Sequence, residues 1–152
     1  MIRKAKLSDA EDIQRLVNSW AKKGKLLRRS LNYIFEHLRD FWVFLDKGKV
    51  VGCCALSVTG WQNLAEIKSL AVLSKYQKKN IGKKLVKISL KEASSLGIKG
   101  VFALTYSPEF FTKVGFKIID RKKLPHKIWS DCINCSEFPG CSEEAVILKI
   151  KT

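Results

Sequence analysis

Acidic residues are scarce in this chain: 14 Asp and Glu stand against 29 Lys and Arg, a formal charge of +15. The imbalance points to anionic partners, whether a nucleic acid, a nucleotide cofactor or a carboxylate substrate, without choosing among them. A solvated, lysine-rich surface accounts for many of the same lysines. Also missing is any apolar run of the ~20 residues that a membrane-spanning helix takes. The N-terminus has no basic stretch followed by an apolar stretch and a cleavage site, so a soluble, cytoplasmic protein is expected. Five cysteines are an odd number, and without a leader they favour reduced thiols or a metal site over a secreted disulfide framework. Neither the P-loop pattern nor the G-x-G-x-x-G dinucleotide pattern occurs. Internal repeats, low-complexity tracts and linkers are absent too, and 152 residues, 46% of them apolar, fit one domain over 1–152.

What is present alternates between strand and helix patterns. A short alternating strand opens the chain, and Ser8 and Glu11 form an S-x-x-E capping box ahead of Ile13, Leu16, Val17 and Trp20 at helical spacing. A second short helix follows Ser30, carrying Leu31, Ile34, Phe35 and Leu38. "FWVFLDKGKVVGCCALSV" reads as a hairpin turning at residues 46–49, and "LAEIKSLAV" as the next strand. A helix then runs to about Leu96, followed by the strand "GVFALT", a short helix from Pro108, and the strands "FKII" and "EAVILKI". The order β, α, α, β, β, β, α, β, α, β, β mixes a meander with one strand-helix-strand crossover. That combination indicates an α/β or α+β sheet with helices on its faces.

One junction stands out. In "YQKKNIGKKL" (76–85) a strand passes through a tight turn into a helix, whose first N–H groups lack intrahelical partners and carry partial positive charge. Gly82 removes a side chain where a ligand approaches, Asn80 tolerates a left-handed backbone, and the flanking lysines attract anions. Phosphate is the natural guest. An ordinary strand-to-helix turn with a polar first turn would show the same residues.

The longer stretch "SLAVLSKYQKKNIGKKLV" resembles the coenzyme A motif of the GCN5-related N-acetyltransferases, with Gln77, Asn80 and Gly82 at its three defined positions. Asn80 stands where glycine is usual, a change that a positive φ accommodates. "FFTKVGFK" (110–117) resembles the family's second signature, an aromatic pair shortly before Gly-Phe. The resemblance implies a central mixed, mostly antiparallel sheet flanked by helices, and acetyl transfer from acetyl-CoA to an amine. It implies that the backbone of Gln77, Lys78, Lys79, Asn80, Ile81, Gly82 and Lys83 holds the pyrophosphate, while Leu70, Ala71 and Val72 hydrogen-bond the pantetheine. Lysines of this stretch, Lys84 included, supplement those contacts or simply decorate an exposed first turn.

The chemistry needs an amine without its proton, and a nearby carboxylate accepts that proton. Glu66 is the candidate base by resemblance, and strand alternation puts it on one face with Lys68. A solvent-facing Glu and Lys on a half-exposed strand is the plainer alternative. Many family members carry a Tyr where this chain has Phe111, which has no proton for the departing thiolate. Tyr106 or a water takes that place, and a thiol pKa of about 8.5 lessens the need for an acid.

A narrower resemblance concerns the acceptor. "LLRRSLNYIFEHLRDFWVFLDKGKVVGCCAL", "AEIKSLAV" and "LPHKIWSDCINCSEFPGC" together resemble the short, single-domain bacterial N-acetylglutamate synthases, which acetylate the α-amino group of glutamate in arginine biosynthesis. A dicarboxylate acceptor needs cationic partners. Arg29 is the first choice, Lys68 the second, and Arg28 and Arg121 follow, each weighed against a plain surface ion pair.

Several readings remain beside this one. Cys132, Cys135 and Cys141, preceded by His126, have the makings of a structural zinc site, less favoured than reduced thiols or a disulfide pair. Cys53 and Cys54 lie in an apolar strand run and read as core. Trp20, Trp42, Trp61 and Trp129 offer stacking surfaces for a nucleic acid, though their apolar periodic surroundings suit a core better. A degenerate acyl-CoA-binding sensor fits the Phe111 and Asn80 departures. A polyamine, antibiotic or protein amine is an alternative acceptor, disfavoured by the chain's own positive charge. Exposed ends of "FKII" or "EAVILKI" offer strand pairing in a homodimer.

Overall fold

Runs of β-branched and aromatic residues between turn residues build a seven-stranded sheet. A computed structural model describes residues 1–60, 63–124 and 143–150. The strands are β1 (Ile2–Lys4), β2 (Phe41–Asp46), β3 (Lys49–Val58), β4 (Leu64–Val72), β5 (Gly100–Thr105), β6 (Lys117–Ile119) and β7 (Glu144–Lys149). They lie in the order β1-β2-β3-β4-β5-β7-β6, with only the β4–β5 pair parallel. That is the mixed, mostly antiparallel sheet expected, with its one crossover carried by a helix.

Helices cover both faces. On one, α1 (Ala10–Ala21) and α2 (Leu31–Glu36) bury Ile13, Val17 and Ile34 against Phe41, Val43, Cys53 and Ala71. On the other, α3 (Ile81–Ser95) and α4 (Pro108–Val114) bury Leu85, Val86 and Phe111 against Val51, Cys54, Val101 and Val146. β2, β3 and β4 feed both cores by the alternation of their side chains, while β5 and β7 turn Phe102 and Ala145 into a smaller cluster with Leu64 and Leu124.

Turn and cap chemistry fix the ends of these elements. The β2–β3 hairpin turns through Lys47 (φ 52°) and Gly48 (φ 78°), and two left-handed residues make the turn whose twist suits a two-residue hairpin. Ser30 caps α2, its hydroxyl accepting from the Tyr33 N–H at 3.0 Å. The expected cap at Ser8 is a correction: Leu7–Asp9 forms a 3-10 turn and α1 begins at Ala10. Asp9 stands before α1 but makes no side-chain cap to it; its carboxylate turns back instead, accepting from the Lys6 N–H at 2.7 Å and from Arg3 at 2.7 and 3.2 Å. Burial pushes the Asp9 carboxyl up, but the Arg3 and Lys6 hydrogen bonds outweigh it and hold the group below the ordinary aspartate range.

Two irregularities open the sheet. Ala55 pairs with Lys68 but Cys53 pairs with Ala71, so β4 carries an extra residue opposite Cys54, and Ser69 sits there at φ 54°. The Cys53 thiol donates to the Ser69 carbonyl at 3.4 Å across this bulge. Meanwhile β4 and β5 pair only from Leu64↔Gly100 to Glu66↔Phe102 among the described residues, while both strands run further. Beyond Glu66 they part.

Other expectations fall differently. β7 lies between β5 and β6, so "EAVILKI" offers no free edge for a second subunit, whereas β6 is an outer strand with Ile118 exposed. Trp42 donates its indole N–H to Glu92 at 2.8 Å and Trp20 donates to the Val72 carbonyl at 3.0 Å, so both rings are tied into the fold. Cys132, Cys135, Cys141, His126, Trp61 and Trp129 lie outside the described residues. No helix among the described residues is long and apolar enough to cross a membrane.

Candidate active site

The parting of β4 and β5 leaves a cavity of about 980 Å³. Its walls come from the far half of β4, the loop and first turn leading into α3, the end of β5 with Tyr106, and the connection between α1 and α2. Glu66, Lys68, Leu70, Ala71, Val72, Gln77, Lys78, Asn80, Ile81, Gly82, Lys83, Arg29 and Tyr106 all line it. Lys79 does not line the cavity: its ammonium sits 5.2 Å above the Tyr76 ring.

The loop before α3 is shaped for anions by its backbone. Lys78 (φ 66°) and Asn80 (φ 62°, ψ 17°) are both left-handed, which answers how Asn80 replaces a glycine. The Gln77 side chain donates to the Val72 carbonyl at 3.1 Å and ties the loop to the end of β4. The first bond into α3 runs from the Lys84 N–H to the Asn80 carbonyl at 3.0 Å, so the N–H groups of Ile81, Gly82 and Lys83 point out of the helix end. A Cβ on Gly82 would lie 3.4 Å from the Phe110 ring, so glycine keeps clear the space between helix end and aromatic wall.

Deeper in, charge replaces backbone. Glu66 is 4% exposed and Arg29 is 8% exposed, whereas Arg28 on the same wall is exposed and Arg121 does not line the cavity. The Lys68 ammonium lies 3.9 Å from Glu66 Oε1, and the Arg29 guanidinium rests on Tyr33 with Cζ 4.2 Å from the ring centroid. A buried carboxylate with one cation beside it and a second lining the same cavity suits an acceptor that bears both an amine and carboxylates.

The two signatures meet at the other wall. Phe111 is 4% exposed and packs edge-on to Phe110 and Phe116, each at 5.1 Å between centroids. Tyr106, half-buried just past β5, is the phenol on this wall. The sheet cysteines are inert by contrast: burial pushes the Cys54 thiol up to about 12 and Cys53 higher still. Among the described residues no group of three or more His, Cys, Asp or Glu is placed to hold a metal.

Sequence reasoning missed Trp20 as a lining residue, and Asn18 and Tyr33, which do not line the cavity but contact Arg29. Asn18 is a weak helix former within α1, and that was the available signal. Trp20 and Tyr33 fit the apolar helical spacing and gave none.

Comparison with known proteins agrees with this geometry. The acetyltransferase (GNAT) family matches residues 7–116. An uncharacterized N-acetyltransferase of Chlorobaculum tepidum is 42% identical over 146 residues, covering 96% of this chain and 94% of the relative. An amino-acid acetyltransferase of Mycobacterium tuberculosis is 35% identical over 134 residues, 86% of this chain and 76% of that protein. The solved N-acetylglutamate synthase of Neisseria gonorrhoeae, complexed with coenzyme A and N-acetyl-glutamate, superposes with a TM-score of 0.90 at 27% identity. All of this chain is matched there, against 35% of the synthase. The chain belongs to the GNAT family. It is an acetyl-CoA-dependent N-acetyltransferase.

Proposed function

We propose that this enzyme acetylates the α-amino group of L-glutamate by direct transfer from acetyl-CoA, a reaction of arginine biosynthesis in the cytoplasm. The observation that carries the reading is that buried Glu66, Lys68 3.9 Å from it, and buried Arg29 all line a single cavity. Arg29 forks onto one carboxylate of the acceptor, Lys68 attracts the other, and the ammonium is left toward Glu66. The names of the mycobacterial relative and of the gonococcal complex support an amino-acid acceptor.

The chemistry follows from the groups in place. Glu66 takes a proton from the ammonium, directly or through a water, freeing the nitrogen lone pair. The nitrogen attacks the thioester carbonyl, the C–N bond forms, and the C–S bond breaks as the tetrahedral intermediate collapses. The departing thiolate takes a proton from Tyr106 or from water, and the nitrogen gives up its second proton to that same group in turn, leaving a neutral amide and a thiol. Residues 77–83, Lys79 aside, hold the pyrophosphate of the donor through backbone N–H groups, and the open edge of β4 at Leu70, Ala71 and Val72 holds its pantetheine arm.

The test is thiol release from acetyl-CoA with a panel of free amino acids, run on wild type and Glu66→Gln. Release with glutamate above all other amines, sharply reduced in the variant, is the expected result. No release with any amino acid would remove the glutamate assignment.

A further inference from the structure

Arg29 belongs to no regular element. It ends the connection between α1 and α2, the kind of segment whose backbone is ordinarily mobile. Asn18 and Tyr33 both hold it. The Asn18 side chain accepts from the Arg29 N–H at 3.0 Å and donates to the Arg29 carbonyl at 3.1 Å, so one amide group satisfies both main-chain groups of the residue. One residue later Ser30 starts α2 and sets Tyr33 beneath the guanidinium, with Cζ 4.2 Å from the ring centroid. Tyr33 is itself backed by His37, stacked at 4.0 Å and 22°, and His37 Nδ1 lies 2.9 Å from the Tyr33 carbonyl.

A guanidinium recognises a carboxylate through a planar fork, so both its location and its plane decide whether two hydrogen bonds form or one. Asn18 sets the first by pinning the backbone. Tyr33 sets the second, because a guanidinium lying on a ring takes its orientation from the ring. Holding a long side chain in place before the ligand arrives also removes an entropic cost of binding.

We infer that Asn18 and Tyr33 are positioning residues of the acceptor site, fixing Arg29 in the orientation in which it forks onto the acceptor's carboxylate. The inference rests on the assignment of Arg29 as carboxylate partner. Neither residue touches the reacting atoms, so the effect falls on acceptor KM and not on the handling of acetyl-CoA.

Steady-state kinetics with L-glutamate as the acceptor test this in two backgrounds. In the wild-type background, Asn18→Ala and Tyr33→Leu each raise the glutamate KM about tenfold, while the acetyl-CoA KM stays unchanged. Tyr33→Phe keeps the ring beneath the guanidinium and raises the glutamate KM less than Tyr33→Leu does. In the Arg29→Ala background the same two substitutions add nothing further, because they act through the residue already removed. Should Asn18→Ala not fold, Asn18→Asp keeps the bond from the Arg29 N–H and loses the donor to its carbonyl, and raises the glutamate KM about threefold. An unchanged glutamate KM in Asn18→Ala and Tyr33→Leu, with Arg29→Ala itself impaired, overturns the inference and leaves the parent reading standing. Equal rises in both backgrounds overturn it as well. If Arg29→Ala leaves the glutamate KM untouched, or wild type does not use glutamate, the parent reading falls and the inference with it.

Discussion

Replacing Glu66 by Gln isolates the proton transfer from the architecture around it. Glu66 is 4% exposed on a central strand, and Gln has nearly its shape and volume, so the strand position and its neighbours remain filled. What changes is the ability to accept a proton from the ammonium. Removing a positioned base costs roughly 10²- to 10⁴-fold, about 3 to 5 kcal/mol of barrier, and the middle of that range is expected for kcat at neutral pH. The acetyl-CoA KM stays as it is, because the donor is held by loop backbone and the β4 edge. A pH series adds a sharper signature. Without a base the variant uses only acceptor that has already lost its proton, so its rate climbs about tenfold per pH unit through the neutral range. Wild type reaches its plateau at lower pH and the gap narrows as pH rises. A Glu66→Gln enzyme within threefold of wild type, with the same pH profile, would refute Glu66 as the base.

Three further outcomes follow from the same structure. Asp9→Asn removes the carboxylate that Arg3 and the Lys6 N–H share, costing about 2 kcal/mol and lowering Tm by about 5 °C in thermal melts. Because the folded carboxyl is held below its ordinary range, that gap persists above about pH 4 and closes as pH falls toward the lowered value; a gap that widens in acid would contradict the pairing. Gly82→Leu fills the space between the helix end and Phe110 and raises the acetyl-CoA KM at least tenfold with the glutamate KM unchanged, whereas Gly82→Ala, with its Cβ 3.4 Å from the ring, has a small effect. Cys53 and Cys54 resist thiol reagents at pH 8 in the folded protein and react only on unfolding, as peptide mapping by mass spectrometry would show, because burial keeps both thiols protonated.

The order of the elements was readable because each carries a local signal. Short apolar runs mark β2, β3 and β5, the Lys47-Gly48 pair marks the hairpin, Ser30 marks the start of α2, and Gly97 and Gly115 close α3 and α4. The candidate site was readable to the extent that it sits on those elements, hence the loop before α3 and the face shared by Glu66 and Lys68. Other features depend on contacts between distant segments. Ser69 has no intrinsic leaning toward a left-handed backbone; its bulge follows from the β3–β4 register. The Asp9 carboxylate turns away from α1 toward Arg3, on a strand, a charged partner that no helix-start pattern contains. Arg29 and Arg28 are adjacent in sequence and chemically identical, and only the packing of α1 against the α1–α2 connection buries one and exposes the other.

The carbonyl of Val72 receives two side-chain donors, the indole of Trp20 from α1 and the amide of Gln77 from the loop before α3. Two turns of one helix and the donor-binding loop therefore share a single oxygen as their joint. Since Asn18, two residues before Trp20, grips Arg29, the last stretch of α1 is a common bracket for both halves of the cavity. On the proposed assignment α1 supplies neither the base nor the phosphate seat and yet is bonded to both walls, which makes it a mechanical part of the enzyme as much as a cover for its sheet.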